Sequence, residues 1–366
     1  MTAPLGFGRL HSIGVVVHDL EAATRKYAEL FGIDEWDVRE TDYREIGRED
    51  GAFTLRTATG ATTPAADVVE LGPMQIHTNP VPFELIEPRS GSSEFHSYLE
   101  SRGGSICSLR LASVAQPEFD DLRNALAALD ITLAGSYTGG AAQRHLFDTR
   151  QQLGGYFVEI EVVSGTDAPA PADVRWNHHG TYERPAGVGP IAVQKLHHFG
   201  IVVDEVMATI ENYHRVFGIE QWQVTDFHTA TGTLENPYFR GEAVDHRYVS
   251  ALAPFADFGL EIITPTRGPS SYDVDFYDRY GQGIHHMLVT ISADEATWDA
   301  QQKWLGSIGV ETVMGADFHH RASSFCYLDT ARDLGGYVVE GLLIRDLDFV
   351  PTPERVIDFS NINSAL

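Results

Sequence analysis

The sequence predicts an α+β protein in which one plan, a strand, a helix and then about three strands, is written four times. Two long internal matches and one subdivision carry that expectation. "LHSIGVVVHDLEAATRKYAELFGIDEWDV" from Leu10 returns as "LHHFGIVVDEVMATIENYHRVFGIEQWQV" from Leu196, 186 residues later, and the offset holds from Trp36 to Trp222. "FDTRQQLGGYFVEIEV" from Phe147 returns as "LDTARDLGGYVVEGLL" from Leu328, 181 residues later. Each half then divides again into two strand–helix–strand units.

The elements follow in order. At Leu10 and Leu196 an alternating apolar strand runs into a helix, with Asp19 or Asp204 placed to cap it. In the second copy Met207, Ile210, Tyr213 and Phe217 recur on one helical face. Strand segments follow, ending in "VPFELIEP" (81–88) and "FGLEIITP" (258–265). A turn-rich bridge leads to "SICSLRLAS" or "GIHHMLVTIS", then a helix, then strands closing on the "LGGY" segments. Alternation along "GIHHMLVTIS" sends His285 and His286 to opposite faces, so only one of them faces a given cavity.

The expected organisation is an N-terminal domain over 1–165, a linker over 166–194, a C-terminal domain over 195–346 and a tail over 347–366. The linker reading rests on Pro, Gly and Ala enrichment without apolar periodicity. His178 and His179 fall in it, with no carboxylate or cysteine at ligand spacing, and read as linker residues.

Bulk properties act mainly by exclusion. The 366 residues are 43% hydrophobic and 21% charged, typical of a globular chain, and no apolar run is long enough for a membrane span. The start lacks a signal-like basic region and apolar core, and two cysteines make no disulfide framework, so a cytoplasmic location is expected. A net charge of -26 argues against nucleic-acid and membrane partners.

The openings "LHHFGIVV" and "GIHHMLVTI", the closings "FELIEP" and "LEIITP", and the terminal "DTARDLGGYVVEGLL" together resemble the vicinal oxygen chelate superfamily. That group includes glyoxalase I, methylmalonyl-CoA epimerase and the type I extradiol dioxygenases. The resemblance implies βαβββ modules paired into two open, barrel-like clefts. It also implies metal ligands at His198, Glu261, His286 and Glu340, with His286 facing inward and His285 outside or at the rim. Two imidazoles and two carboxylates suit one divalent ion, whether Mn, Co, Ni, Zn or Fe. In the first half the same positions read Ser12, Glu84, Ser108 and Glu159, so no catalytic metal is expected there. A single complete set favours pairing of module one with two and three with four.

The glyoxalase and epimerase branch implies an isomerase, epimerase or lyase that polarises a carbonyl and moves a proton through a metal-bound enolate, with Glu261 or Glu340 as base. One alternative is an Fe(II) extradiol-type dioxygenase using His198, His286 and Glu340 as a facial triad, with Glu261 and the "DTARDLGGY" form counting against it. A ligand-sequestering protein is the other. His320, Arg321, His228 and Tyr248 are candidate substrate contacts, and His319 also borders that region. Trp222, Phe239 and Tyr327 are candidates to shape an apolar pocket. The segment 225–249 is placed to roof the cleft over a small carbonyl or aromatic substrate. A homodimer is compatible with the sequence but not needed to build the site.

Overall fold

Apolar alternation and helix punctuation set the local structure, and strand pairing assembles it. The computed structural model describes residues 3–6, 9–48, 51–63, 80–139, 142–163, 171–191, 196–255 and 257–360. Parts of the expected linker (166–170 and 192–194) and tail (361–366) lie outside the described residues. The N-terminal strands are β1 (Ser12–Val16), β2 (Glu35–Glu45), β3 (Ala52–Ala61), β4 (Pro82–Ser90), β5 (Ser105–Val114), β6 (Leu133–Gly139), β7 (Ala142–Phe147), β8 (Phe157–Val163) and β9 (Val174–Asn177). The C-terminal strands are β10 (His198–Val202), β11 (Gln221–Phe227), β12 (Leu234–Phe239), β13 (Glu242–Ala243), β14 (Arg247–Phe255), β15 (Phe258–Arg267), β16 (Gly283–Ser292), β17 (Thr312–Phe318), β18 (Ser323–Leu328), β19 (Val338–Ile344) and β20 (Arg355–Asp358).

Helices α1 (Leu20–Phe31), α2 (Glu94–Arg102), α3 (Gln116–Ala127), α4 (Arg150–Leu153) and α5 (Val206–Phe217) precede a π-helical turn at Ser271–Tyr277 that runs into Asp278–Tyr280, and then helices at Glu295–Ser307 and Ala331–Leu334. Asp19 caps α1, accepting from Ala22 N at 2.9 Å. In the second copy Glu205, not Asp204, is the cap and accepts from Met207 N and Ala208 N. The 186-residue offset maps Asp19 onto Glu205, so chain register overrode the usual preference for a short side chain. Asp204 instead accepts a hydrogen bond from the Tyr277 hydroxyl. Ile210, Tyr213 and Phe217 are buried on one face of α5, as their spacing predicts. No helix among the described residues is long and apolar enough to cross a membrane.

Modules pair first with second and third with fourth. β1 lies parallel to β4 and antiparallel to β5; β10 repeats this with β15 and β16. The two sheets nevertheless differ. In the N-terminal half the order β3-β4-β1-β5-β8-β7-β6-β2 returns to β3, closing an eight-stranded barrel where an open cleft was expected. Closure depends on the length of β2, whose last residues Arg44 and Glu45 reach Thr138 and Tyr137 of β6. The counterpart β11 stops at Phe227, and a turn at Thr229–Thr231 carries the chain to β12, which pairs with β17. The C-terminal sheet therefore stays open between β11 and β12. The linker and tail segments each contribute a strand, β9 on β2 and β20 on β11.

The halves interlock through one buried core that draws residues from both. Tyr27 of α1 donates to Leu334 O and meets the Tyr337 hydroxyl, both at 2.9 Å. Tyr213 of α5 makes the same two contacts with Leu153 O and Tyr156. Each "LGGY" turn thus receives the first helix of the opposite half. At Gly336 (φ 83) a Cβ would stand 2.0 Å from Gly104 O, which excludes any side chain there.

The closed barrel holds a buried ion cluster beside an apolar cluster that includes Tyr43, Phe53, Phe95 and Tyr137. Arg144 of β7 is 4% exposed. Its guanidinium grips Glu84 through Nη1 and Nη2 at 3.0 Å each, and Glu159 through Nε at 2.8 Å and Nη2 at 3.0 Å. Burial alone would raise the Glu159 carboxyl; Arg144 and Arg110 reverse that and hold it below the usual range. Arg144→Met removes the hydrogen-bonded counter-charge from two buried carboxylates, leaving them Arg110 at 3.9 Å from each. It is expected to cost about 3–5 kcal/mol, read as a fall in the urea midpoint. Adding Glu84→Gln and Glu159→Gln should recover part of that loss; no recovery would mean that packing, not charge, is what Arg144 supplies.

Candidate metal centre

Three adjacent strands of the open sheet bring the site together. Gly200 of β10 lies opposite Glu261 of β15 on one side and His286 of β16 on the other. His198, two residues before Gly200, shares its face. Glu340 of β19 pairs with Leu288, two residues beyond His286. Gly200 is required by this arrangement: a Cβ there would fall 1.8 Å from His286 Cε1. Gly14 holds the same relation to Ser108 in the other half, with a Cβ 2.2 Å from its Oγ.

Potential ligand atoms of His198, Glu261, His286 and Glu340 all lie within 4.8 Å of one another. His198 Nε2 is 3.3 Å from Glu261 Oε2 and 3.1 Å from Glu340 Oε2. His286 Nε2 is 3.3 and 3.2 Å from the same two oxygens. These separations match the roughly 3.0 Å edge of an octahedron built on metal–ligand bonds near 2.1 Å. His286 Nε2 is buried and aligned with neither carboxylate, so it makes no hydrogen bond. His198 Nε2 bonds Glu340 Oε2, but His286 Nε2 is left unpaired among ligand atoms this close together, and the donor set fits a divalent cation there.

The electrostatics agree. Burial alone would depress His198, but Glu261 and Glu340 overcome it and raise the imidazole to about 9. His286 is raised by the same two partners against its burial. Burial works to raise both carboxyls, yet the imidazoles hold Glu261 and Glu340 below the usual carboxylate range. The four groups form a desolvated cluster in which two negative charges require positive charge opposite them.

The adjacent histidine departs from its expected place. His285 is not at the rim or on the outer face; it is 2% exposed beside His286. Gly200 pairs with His286 but Ile201 with Ile284, so residue 285 is the extra residue of a β-bulge. The bulge breaks strict alternation and sets the two rings side by side. Their Nδ1 atoms are 3.0 Å apart, and His285 Nε2 is 2.9 Å from Ser271 Oγ. With Nε2 of His286 turned to the cluster, its Nδ1–H donates to His285, which donates onward to Ser271. Burial and the neighbouring His286 hold His285 well below the ordinary histidine range, which suits the accepting role.

Other polar candidates are dispersed. Tyr248 is buried against Phe227 and Tyr272 on the concave face. His320 and Arg321 stand on the exposed β17–β18 turn, bonded to Glu235 and near Asp317. His319 lies on the same turn, and His228 opens the turn after β11. Phe239 and Tyr327 join the apolar cluster of the concave face, whereas Trp222 belongs to the main core. The segment 225–249 contributes Leu234 and Phe239 to the concave face. In the linker segment, His178 is buried against Thr24 Oγ1 at 2.9 Å, and His179 is exposed beside Asp34.

Sequence reasoning missed Ser250, whose hydroxyl donates to Glu261 Oε1 at 2.6 Å, as well as Ser271 and Arg144. Arg144 had a signal: Glu84 and Glu159 persisted after both imidazoles were lost, and buried carboxylates demand a cation. The N-terminal positions Ser12 and Ser108 are buried in the same places as His198 and His286, with Arg144 between the glutamates.

No protein-family model matches the sequence, and no curated protein matches it by sequence. The structure is similar to that of a triple-substituted 4-hydroxymandelate synthase from Streptomyces coelicolor, with a TM-score of 0.51 and 14% identity over 99% of this chain and 96% of that one. A halotolerant catechol dioxygenase aligns over 96% of this chain and 93% of that one at 13% identity and a TM-score of 0.41. A methylmalonyl-CoA epimerase bound to methylmalonyl-CoA aligns over 44% of this chain and 99% of that one at 16% identity and a TM-score of 0.31. Four βαβββ modules, paired in sequence order into two curled sheets, give this chain the fold of the vicinal oxygen chelate superfamily.

Proposed function

We propose that the chain is a metal-dependent enzyme of isomerase, epimerase or lyase type, using His198, Glu261, His286 and Glu340 as ligands. The observation that carries this reading is the near-equivalence of the two glutamates. Glu261 stands 3.3 Å from both imidazoles, and Glu340 at 3.1 and 3.2 Å. Glu261 is thus a full member of the cluster, which favours a four-residue set over a facial triad open to oxygen.

A divalent ion held there would polarise a substrate carbonyl and acidify the neighbouring C–H. The chain's own residues divide the remaining work. Ser250 ties down Glu261 Oε1, fixing that carboxylate in place. Glu340 Oε1 has no hydrogen bond from the protein among the described residues, so Glu340 is the carboxylate assigned to take the proton and return it. Tyr248, Tyr272 and Tyr327 have hydroxyls kept neutral by burial, and with Phe325 and Met314 they wall the concave face. That lining excludes water and suits a carbonyl compound with an apolar or aromatic substituent.

Metal analysis and assays with and without oxygen test the reading. Turnover of a carbonyl substrate without O₂ is expected; a strict requirement for Fe(II) and O₂ would replace it with ring-cleaving chemistry. His286→Ala and Gly200→Ala should both abolish metal retention, and His285→Ala should weaken it about 10- to 100-fold through loss of ring orientation. Ser108→Ala should leave retention unchanged. Equal loss from Ser108→Ala and His286→Ala would contradict the asymmetry between the halves.

The metal-free cluster also makes a pH prediction. His198 is raised in the folded chain from the ordinary 6.5 to about 9, so its contribution to stability is complete below pH 6.5 and disappears as pH rises through 9. Metal binding needs neutral imidazoles and must release those protons. The Tm of the metal-free chain should therefore fall between pH 6.5 and 9, while the increment from added metal grows over the same interval. Two flat profiles would show that the cluster is not protonated as described.

A further inference from the structure

A second cavity, of about 350 Å³, lies at the junction of the two halves. Arg102 reaches it from the N-terminal half, and Arg240, Arg279 and Arg332 from the C-terminal half. Four of the chain's 26 basic residues thus meet at one hollow, although 52 acidic residues outnumber them overall. The carboxylates at the cavity are Asp275 and Asp329, leaving it two charges positive. Asp275 is shared between Arg240 at 2.5 Å and Arg279 at 3.6 Å. Arg332 makes no ion pair among the described residues. Arg102 bonds Gln282 O through Nη2 at 2.5 Å, while its Nη1 is buried without a partner.

We propose that this cavity binds a small, multiply charged oxyanion of the phosphate class. A chain of charge -26 repels anions over most of its surface, so a local surplus of guanidinium groups is a specific exception. Guanidinium forks match phosphate oxygens in pairs. Arg102 has a buried donor that the protein leaves unused, and such a donor is costly unless a ligand satisfies it; the exposed Arg332 has its guanidinium free to close on the ligand. Ser271 and His285 add polar atoms to the wall, whereas Phe276, Val313 and Val338 make the rest of it apolar. None of the four residues of the metal cluster lines the cavity. The site is therefore separate from that cluster and does not rest on the metal reading. One imidazole divides them: His285 faces the cavity and bonds His286 behind it.

Calorimetric titration of inorganic phosphate into the full chain, freed of metal by dialysis and held at constant ionic strength, tests the proposal. One saturable phosphate per chain is expected. Arg279→Gln and Arg332→Gln, both at exposed positions, should each weaken binding about tenfold, and Arg321→Gln, outside the cavity, should leave it unchanged. Tighter binding of glycerol phosphate than of phosphate would assign the cavity to the phosphate end of a larger molecule, and equal binding to the free ion; either supports the site. Three results would overturn it: no saturable binding, unchanged affinity in the Arg279→Gln/Arg332→Gln double variant, or binding only when metal is loaded.

Discussion

Two buried carboxylates facing each other inside a curled sheet cannot stand without a positive charge between them, and that constraint organises both halves. Each half brings one glutamate from the strand parallel to its first strand and one from its last strand. In the N-terminal half the charge is a guanidinium with four close contacts to the pair. In the C-terminal half protonated imidazoles supply it when no metal is bound, and the geometry of the four groups suits a divalent ion. The same architectural demand is met once by the chain itself and once by a site built to take a cation.

That difference travels with the shape of the sheet. Where Arg144 sits in the interior, β2 continues to β6 and the barrel closes. Where histidines line it, β11 ends early and the chain detours through β12, leaving the sheet open. The N-terminal half then acts on the site mechanically. Its α1 holds the "LGGY" turn leading into β19, the strand that carries Glu340.

Much of this was legible in the sequence because duplication supplies an internal control. The 186-residue match set His198 opposite Ser12, and the family resemblance pointed to Glu261, His286 and Glu340 as its companions. Alternation along a strand let only one of the two histidines face inward, with the family resemblance pointing to His286. It failed for His285 because a bulge adds a residue without any mark in the local sequence, and only the pairing register reveals it. Closure of one barrel was equally hidden, since it depends on how far β2 runs before it bends away. Arg144 reaches Glu84 from 60 residues away, and Ser250 and Ser271 meet Glu261 and His285 through folded geometry, so their roles follow from packing rather than from motif.

Arg144 carries one more implication. The ion at the heart of the N-terminal barrel is covalently part of the chain, so chelators cannot strip it and a shortage of trace elements cannot leave it missing. The charge balance of that half is consequently fixed at synthesis and independent of any supplied ion.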